Sequence, residues 1–193
     1  MDLGCNRNKI DCMINERGRG DNKMRLIEDF NLNNDADCTS TFSRTAVRAI
    51  IFKDGKLVMV KSEKFGEYKF PGGGKDDGES DLETLERETK EETGMTVIPA
   101  SVQAYGYTEE KRRSVFNPSQ RFIMESRYYL CDVMDHIEET NYDSYEKDYG
   151  YHLCVVSIDE AIEQNIIAAE KHHEIATWIQ RELTVLKDIK QHL

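Results

Sequence analysis

The chain has 193 residues, of which 38% are hydrophobic and 33% charged, and its formal net charge is −11. That length suits one domain with an extension and a core that needs no disulfide staples. The acidity excludes a broad electrostatic footprint for DNA or RNA. The sequence contains no apolar run near the roughly 18 residues of a membrane helix, and its N-terminus has no apolar stretch of signal-peptide type. The expectation is a cytoplasmic protein with no nucleic-acid polymer and no membrane as partner.

Residues 1–42 are rich in Asn and Asp and poor in large apolar side chains. They read as an N-terminal extension, partly flexible, in which "MRLIEDFNL" forms either a strand or a turn of helix. Residues 43–193 read as the folded domain with C-terminal helices. "TAVRAIIF" is a buried strand, "KDG" a hairpin turn and "KLVMVKS" the returning strand. "EYKF" is a short extended piece. Pro71 and Gly72-Gly73-Gly74 are expected to break regular structure.

A helix begins after Ser80, because Ser80-x-x-Glu83 is a capping box, and stops at Gly94. Leu82, Leu85 and Thr89 are expected on its buried face. Further strands are expected over 96–107, 120–133 and 151–158, and residues 134–150 read as a long acidic loop. A short helix opens at Asp159. A second, from about Ala168, carries Ile175, Trp178, Ile179, Leu183 and Leu186 on one side. Strands, a helix, strands and terminal helices make an α/β layer architecture around a mixed β-sheet.

Five cysteines are scattered without a CxxC pair. Cys131 and Cys154 sit in apolar runs and read as buried free thiols. The adjacent His172 and His173 point about 100° apart on a helix and read as surface residues, and Trp178 as core packing. Lys111, Arg112 and Arg113 read as an exposed basic loop, with Arg112 the candidate for a substrate phosphate. Tyr142, Tyr145, Tyr149 and Tyr151 either stack on a base or anchor the acidic loop.

The helix after Ser80 raises a charge problem, since like charges three or four residues apart repel by roughly 0.2–0.5 kcal/mol per pair. Glu88, Glu91 and Glu92 project from one side. Such a patch is either a solvated face or a set of hard oxygen ligands suited to Mg²⁺ or Mn²⁺. A calcium loop from Asp77 to Glu88 fails, because its sixth position is Leu82 where glycine is needed. Gly72, Gly73 and Gly74 let backbone approach a metal or a phosphate with no Cβ in the way.

The spacing Gly73, five residues, Glu79, seven residues, Arg87-Glu88, two residues, Glu91-Glu92, one residue, Gly94, Met95 resembles the Nudix box of the Nudix (MutT-like) hydrolases. The box covers 23 residues, and a weaker resemblance extends over roughly 43–165. One position departs: Thr89 stands where the family has an aliphatic residue, with its hydroxyl expected to bond back to the Leu85 carbonyl. The resemblance implies a Nudix-type α/β/α sandwich. It implies Mg²⁺- or Mn²⁺-dependent hydrolysis of a phosphoanhydride in a nucleoside diphosphate linked to another moiety. By position, Glu88, Glu91 and Glu92 are metal ligands, joined by the Gly72 carbonyl, and Arg87 orients the carboxylates together with Glu79. Glu88 is the first choice of general base. Gly73, Gly74 and Arg112 are the substrate-binding candidates. Because the family often brings a further acid from a late loop, Glu146 is the candidate for that acid or for the general base. The alternative is a non-catalytic Nudix module that senses a nucleotide and regulates a partner. A homodimer is expected on the general prevalence of two-fold assemblies.

Overall fold

A computed structural model describes residues 24–138, 140–141, 148–173 and 176–192. Strand β1 (Leu26–Asn31) precedes the long β2 (Ser40–Ile50). A hairpin joins β3 (Phe52–Lys53) to β4 (Lys56–Lys61). Its two central residues, Asp54 and Gly55, have φ of 51° and 73°, the paired positive values that match the right-handed twist of the flanking strands. Then come β5 (Tyr68–Lys69), β6 (Gly72–Gly74), helix α1 (Asp81–Thr93) and β7 (Met95–Val97). Strands β8 (Gln103–Arg113), β9 (Gln120–Leu130), β10 (Val133–Ile137) and β11 (His152–Val156) follow. Helices α2 (Ile158–Lys171) and α3 (Ala176–His192) close the described chain.

The largest sheet has the order β1-β8-β9-β2-β6 and is mixed. β2 runs parallel to β9 and β1 parallel to β8, while β8–β9 and β2–β6 are antiparallel. A second sheet has β4 at its centre, with β3, β5 and β11 as partners, and β7 pairs with β10. Side-chain alternation along β2 separates two cores. Val47, Ala49 and Ile51 pack with Val58, Leu85 and Met95 under α1. Ile50 faces the other way, with Phe70, Tyr128, Leu186 and Ile189 under α3. The result is the expected α/β/α sandwich around a mixed sheet.

Several sequence expectations are corrected. The three glycines form a strand instead of a break, because their backbone pairs with Ala46, Val47 and Arg48 of β2. The segment over 96–107 is two strands separated by a 3₁₀ turn at Pro99–Ser101, where proline is favoured in the first turn. The segment over 120–133 likewise divides, and β10 takes up residues 133–137 of the supposed acidic loop. Lys111, Arg112 and Arg113 lie on β8, held in register by Ile123, Phe122 and Arg121 of β9, and not on a loop. Leu82 is exposed. Thr84, Leu85, Thr89, Glu92 and Thr93 form the buried face of α1 instead. Ala168 belongs to α2, whose cap is Ser157, and the last helix starts at Ala176. Ile175 lies outside the described residues. Leu26–Asn31 is a strand, the first of the two readings. Cys131 is buried as expected, whereas Cys154 is half-buried; both are free thiols.

Candidate active site

Helix α1 is fixed at both ends. Glu83 N–H donates to Ser80 Oγ at 3.2 Å, and Ser80 N–H donates to Glu83 Oε2 at 2.7 Å, which completes the capping box. At the other end Gly94, at φ 69°, donates its N–H to the Lys90 carbonyl. Asp81, in the first turn, accepts bonds from Lys75 Nζ at 2.7 Å, Tyr129 Oη at 2.6 Å and Arg127 Nη1 at 2.9 Å. Burial works against its charge, but these three donors prevail and hold its carboxyl at about 2. Burial, and after it the bond to the Asp81 carboxylate, push the Tyr129 hydroxyl up.

Arg87 organises the carboxylates. Its Nε donates to Glu79 Oε1 at 2.7 Å and its Nη2 to Glu79 Oε2 at 2.8 Å, a two-pronged pair. Nη1 reaches Glu88 Oε1 at 2.6 Å and Glu91 Oε2 at 3.3 Å, and Nη2 also reaches the Gly74 carbonyl at 3.1 Å. The guanidinium lowers the Glu79 carboxyl to about 2, and Glu79 in turn pushes Arg87 further up. The pairing of Arg87 with Glu79 that the resemblance implies is present in the fold.

Glu92 is only 2% exposed. Its Oε2 accepts the Gly72 N–H at 2.7 Å, and its Oε1 lies 3.8 Å from Lys69 Nζ. The Gly72 carbonyl accepts from Arg48 Nη1 at 3.3 Å. Glycine is required at this strand. Gly72 has φ 139°, and a Cβ there would lie 2.1 Å from the Val47 carbonyl oxygen; a Cβ on Gly73 would lie 2.4 Å from Glu88 Oε2. Gly72, Gly73 and Gly74 line one side of a cleft of about 200 Å³ whose other side is Glu88, Glu91 and Glu92.

The three glutamates share this cleft, yet no group of three Asp, Glu, His or Cys among the described residues already stands as a closed ligand cage. Arg87, Lys69 and the Gly72 N–H hold the oxygens instead. The donor set still fits a divalent cation: it is all oxygen, it lines one cleft, and the missing Cβ of Gly73 lets the Glu88 carboxylate lie against the glycine strand. Cations occupying carboxylates in this way relieve the repulsion that the sequence poses.

A second groove of about 390 Å³ adjoins the cleft and shares Arg44, Arg48, Lys69 and Met124 with it. Arg112 lines the groove, paired with Glu110 at 2.5 Å, its guanidinium carbon 4.4 Å from the centre of the Phe122 ring. Tyr149, Tyr151 and Trp178 line it too. Trp178 is half-buried and packs against the Ala168, Ile179 and Leu183 cluster, as expected of core packing, edge-on to Phe65; His172 also packs edge-on to Phe65. Tyr142, Tyr145 and Glu146 lie outside the described residues. Thr89 is buried, but its Oγ1 has no partner among the described residues, so the expected bond to Leu85 is not made.

Sequence reasoning missed Lys69, Arg44, the Asp81 hub and a buried pair of Arg48 and Arg181 about Glu182. Glu182 Oε1 lies 3.8 Å from Arg48 Nε and 3.2 Å from Arg181 Nη2, and Glu182 Oε2 accepts the Phe70 N–H at 3.1 Å. Acids and bases on a terminal helix carry no signal of that kind, since a solvated face looks the same.

The sequence model of the NUDIX domain matches residues 42–180. Similar solved structures include a NUDIX hydrolase from Nitrosomonas europaea, at 20% identity over 69% of this chain and 90% of that one, with a TM-score of 0.49. An ADP-ribose pyrophosphatase from Streptococcus suis is 22% identical over 60% and 75%, with a TM-score of 0.40. A MutT NUDIX hydrolase from Burkholderia pseudomallei is 18% identical over 61% and 85%, with a TM-score of 0.46. No curated protein matches the chain. With the domain match spanning most of the sequence and the box residues gathered about one cleft, the chain belongs to the Nudix hydrolase family.

Proposed function

We propose that the protein hydrolyses a phosphoanhydride bond in a nucleoside diphosphate linked to another moiety, with Mg²⁺ or Mn²⁺ held by Glu88, Glu91, Glu92 and the Gly72 carbonyl. The observation that carries this reading is the single cleft shared by the three glutamates and the glycine strand. A divalent ion there supplies charge neutralisation for the phosphates and lowers the pKa of water. Gly73 and Gly74 give the diphosphate a wall without side chains.

Arg87 holds Glu88 in place, and Glu88 takes the proton of the attacking water. The water oxygen bonds to phosphorus and the anhydride P–O bond breaks. The remaining work is positioning, as phosphoryl transfer requires. Glu146 is retained as a further acid from the late segment, and Arg112, on the wall of the second groove, as a contact for the rest of the substrate.

A screen of nucleoside diphosphate conjugates with Mg²⁺ and Mn²⁺, read by phosphate release after phosphatase coupling, tests the proposal. Turnover of at least one conjugate, abolished by a chelator, is expected. Binding without any turnover would instead make the chain a nucleotide sensor. In the same assay, wild-type turnover by Glu146→Gln would remove that residue from the mechanism.

A further inference from the structure

Five cations line the second groove: Arg44, Arg48, Lys69, Arg112 and Arg181. Four are committed. Arg48 and Arg181 face Glu182, Arg112 pairs with Glu110, and Lys69 lies against Glu92. Arg44 is different: its side chain makes no hydrogen bond or ion pair with any described residue, although the chain carries a net charge of −11. It is exposed, and its position is not that of an ordinary surface arginine. It lines both the carboxylate cleft and the groove, and its guanidinium lies over Gly74, within 2.1 Å of where a Cβ would stand. The glycine strand that walls the carboxylate cleft thus leaves room for one uncommitted, two-pronged donor at the joint between the two spaces.

We infer that Arg44 binds a phosphate of the substrate: the phosphate that faces the groove when the diphosphate lies in the cleft. A planar guanidinium matches two phosphate oxygens at once. Its charge also balances anion charge that the carboxylates would otherwise repel. The group linked to that phosphate then enters the groove, whose wall carries the exposed Phe116, a ring face on which a base stacks. This inference rests on the proposed reading of the cleft and assigns to it a phosphate contact outside the box.

The test is calorimetric titration with ADP, with adenosine in parallel, both with Mg²⁺ present, on the wild type and on Arg44→Gln, Arg44→Lys and Lys56→Gln. Lys56 is exposed and lines neither space, so its loss removes the same charge without the contact. The expected result is ADP binding weakened about 10- to 100-fold in Arg44→Gln, partly recovered in Arg44→Lys, and unchanged in Lys56→Gln. Adenosine affinity and Tm are expected to stay at wild-type values, because Arg44 contacts no base and has no partner to lose. The inference is overturned by ADP affinity within about two-fold of wild type in Arg44→Gln, by an equal loss in Lys56→Gln or for adenosine, or by absence of ADP binding to the wild type. None of these readings depends on turnover, so an inactive enzyme would count against the hydrolase proposal while ADP binding still decides the role of Arg44.

Discussion

Asp81 illustrates how much one side chain can organise. It is the first residue of α1, where a carboxylate favours the helix N-terminus, and it ties that helix to β9 through Arg127 and Tyr129. Its carboxyl is held at about 2, below the ordinary 3.8. A depressed folded-state pKa contributes stability that is present above the unfolded value and lost as pH falls through the folded one. Asp81→Asn is therefore expected to cost about 1–3 kcal/mol near neutral pH. The gap between variant and wild type should close as the pH drops from about 4 to about 2. Thermal melts across that range check it, and a gap that stays constant down to the lowest pH would contradict it. The hub was not legible in the sequence, since Arg127 and Tyr129 meet Asp81 only after β9 pairs in the sheet. The Arg87–Glu79 pair was legible, because both partners belong to a spacing that a family resemblance identifies.

At the scale of elements, β6 and α1 form one device. The strand has no side chains, so its backbone lies directly against the carboxylates of the helix. Two adjacent glycines should then fail differently. Gly72→Ala meets backbone at the Val47 carbonyl and forces a positive φ on a residue with a Cβ, so it is expected to lose about 1–3 kcal/mol or more of stability. Gly73→Ala meets only the Glu88 carboxylate. That side chain can swing aside, so the fold survives while turnover falls about 100-fold through a displaced catalytic group. Melting temperature and kcat measured together separate the two. Equal Tm losses, or a fully active Gly73→Ala, would count against this picture. The sequence correctly pointed to close backbone approach at these glycines but not to a strand, because glycine weakens strands and the pairing with β2 is a long-range fact. Likewise, the capping box and Gly94 fixed the bounds of α1 locally, whereas its buried face depended on which side met the sheet, and Leu82 lost that position to Thr84.

For the whole molecule, the architecture divides labour between its two faces. The α1 side supplies the carboxylates. The α3 side supplies Glu182 and Arg181, which with Arg48 of β2 form the buried charge cluster beneath the groove. Alternation along β2 links the two: Val47 faces one core and Arg48 the other, with the glycine strand at their edge. The layer architecture was readable from periodicity and turn residues, but the meeting of the cleft and the groove was not, since it depends on side chains 44, 48, 69 and 124 converging from different strands. Metal-dependent phosphoanhydride hydrolysis in the cleft between β6 and α1 is the activity we propose. The most direct measurement is kcat of Glu92→Gln at saturating Mg²⁺ on the best substrate from the screen, with the far-UV spectrum confirming the fold. The substituted amide keeps an oxygen to accept the Gly72 N–H but removes the charge. A fall of about 1,000-fold is predicted, the effect of several kcal/mol of lost charge stabilisation. Turnover within about ten-fold of wild type would contradict the account.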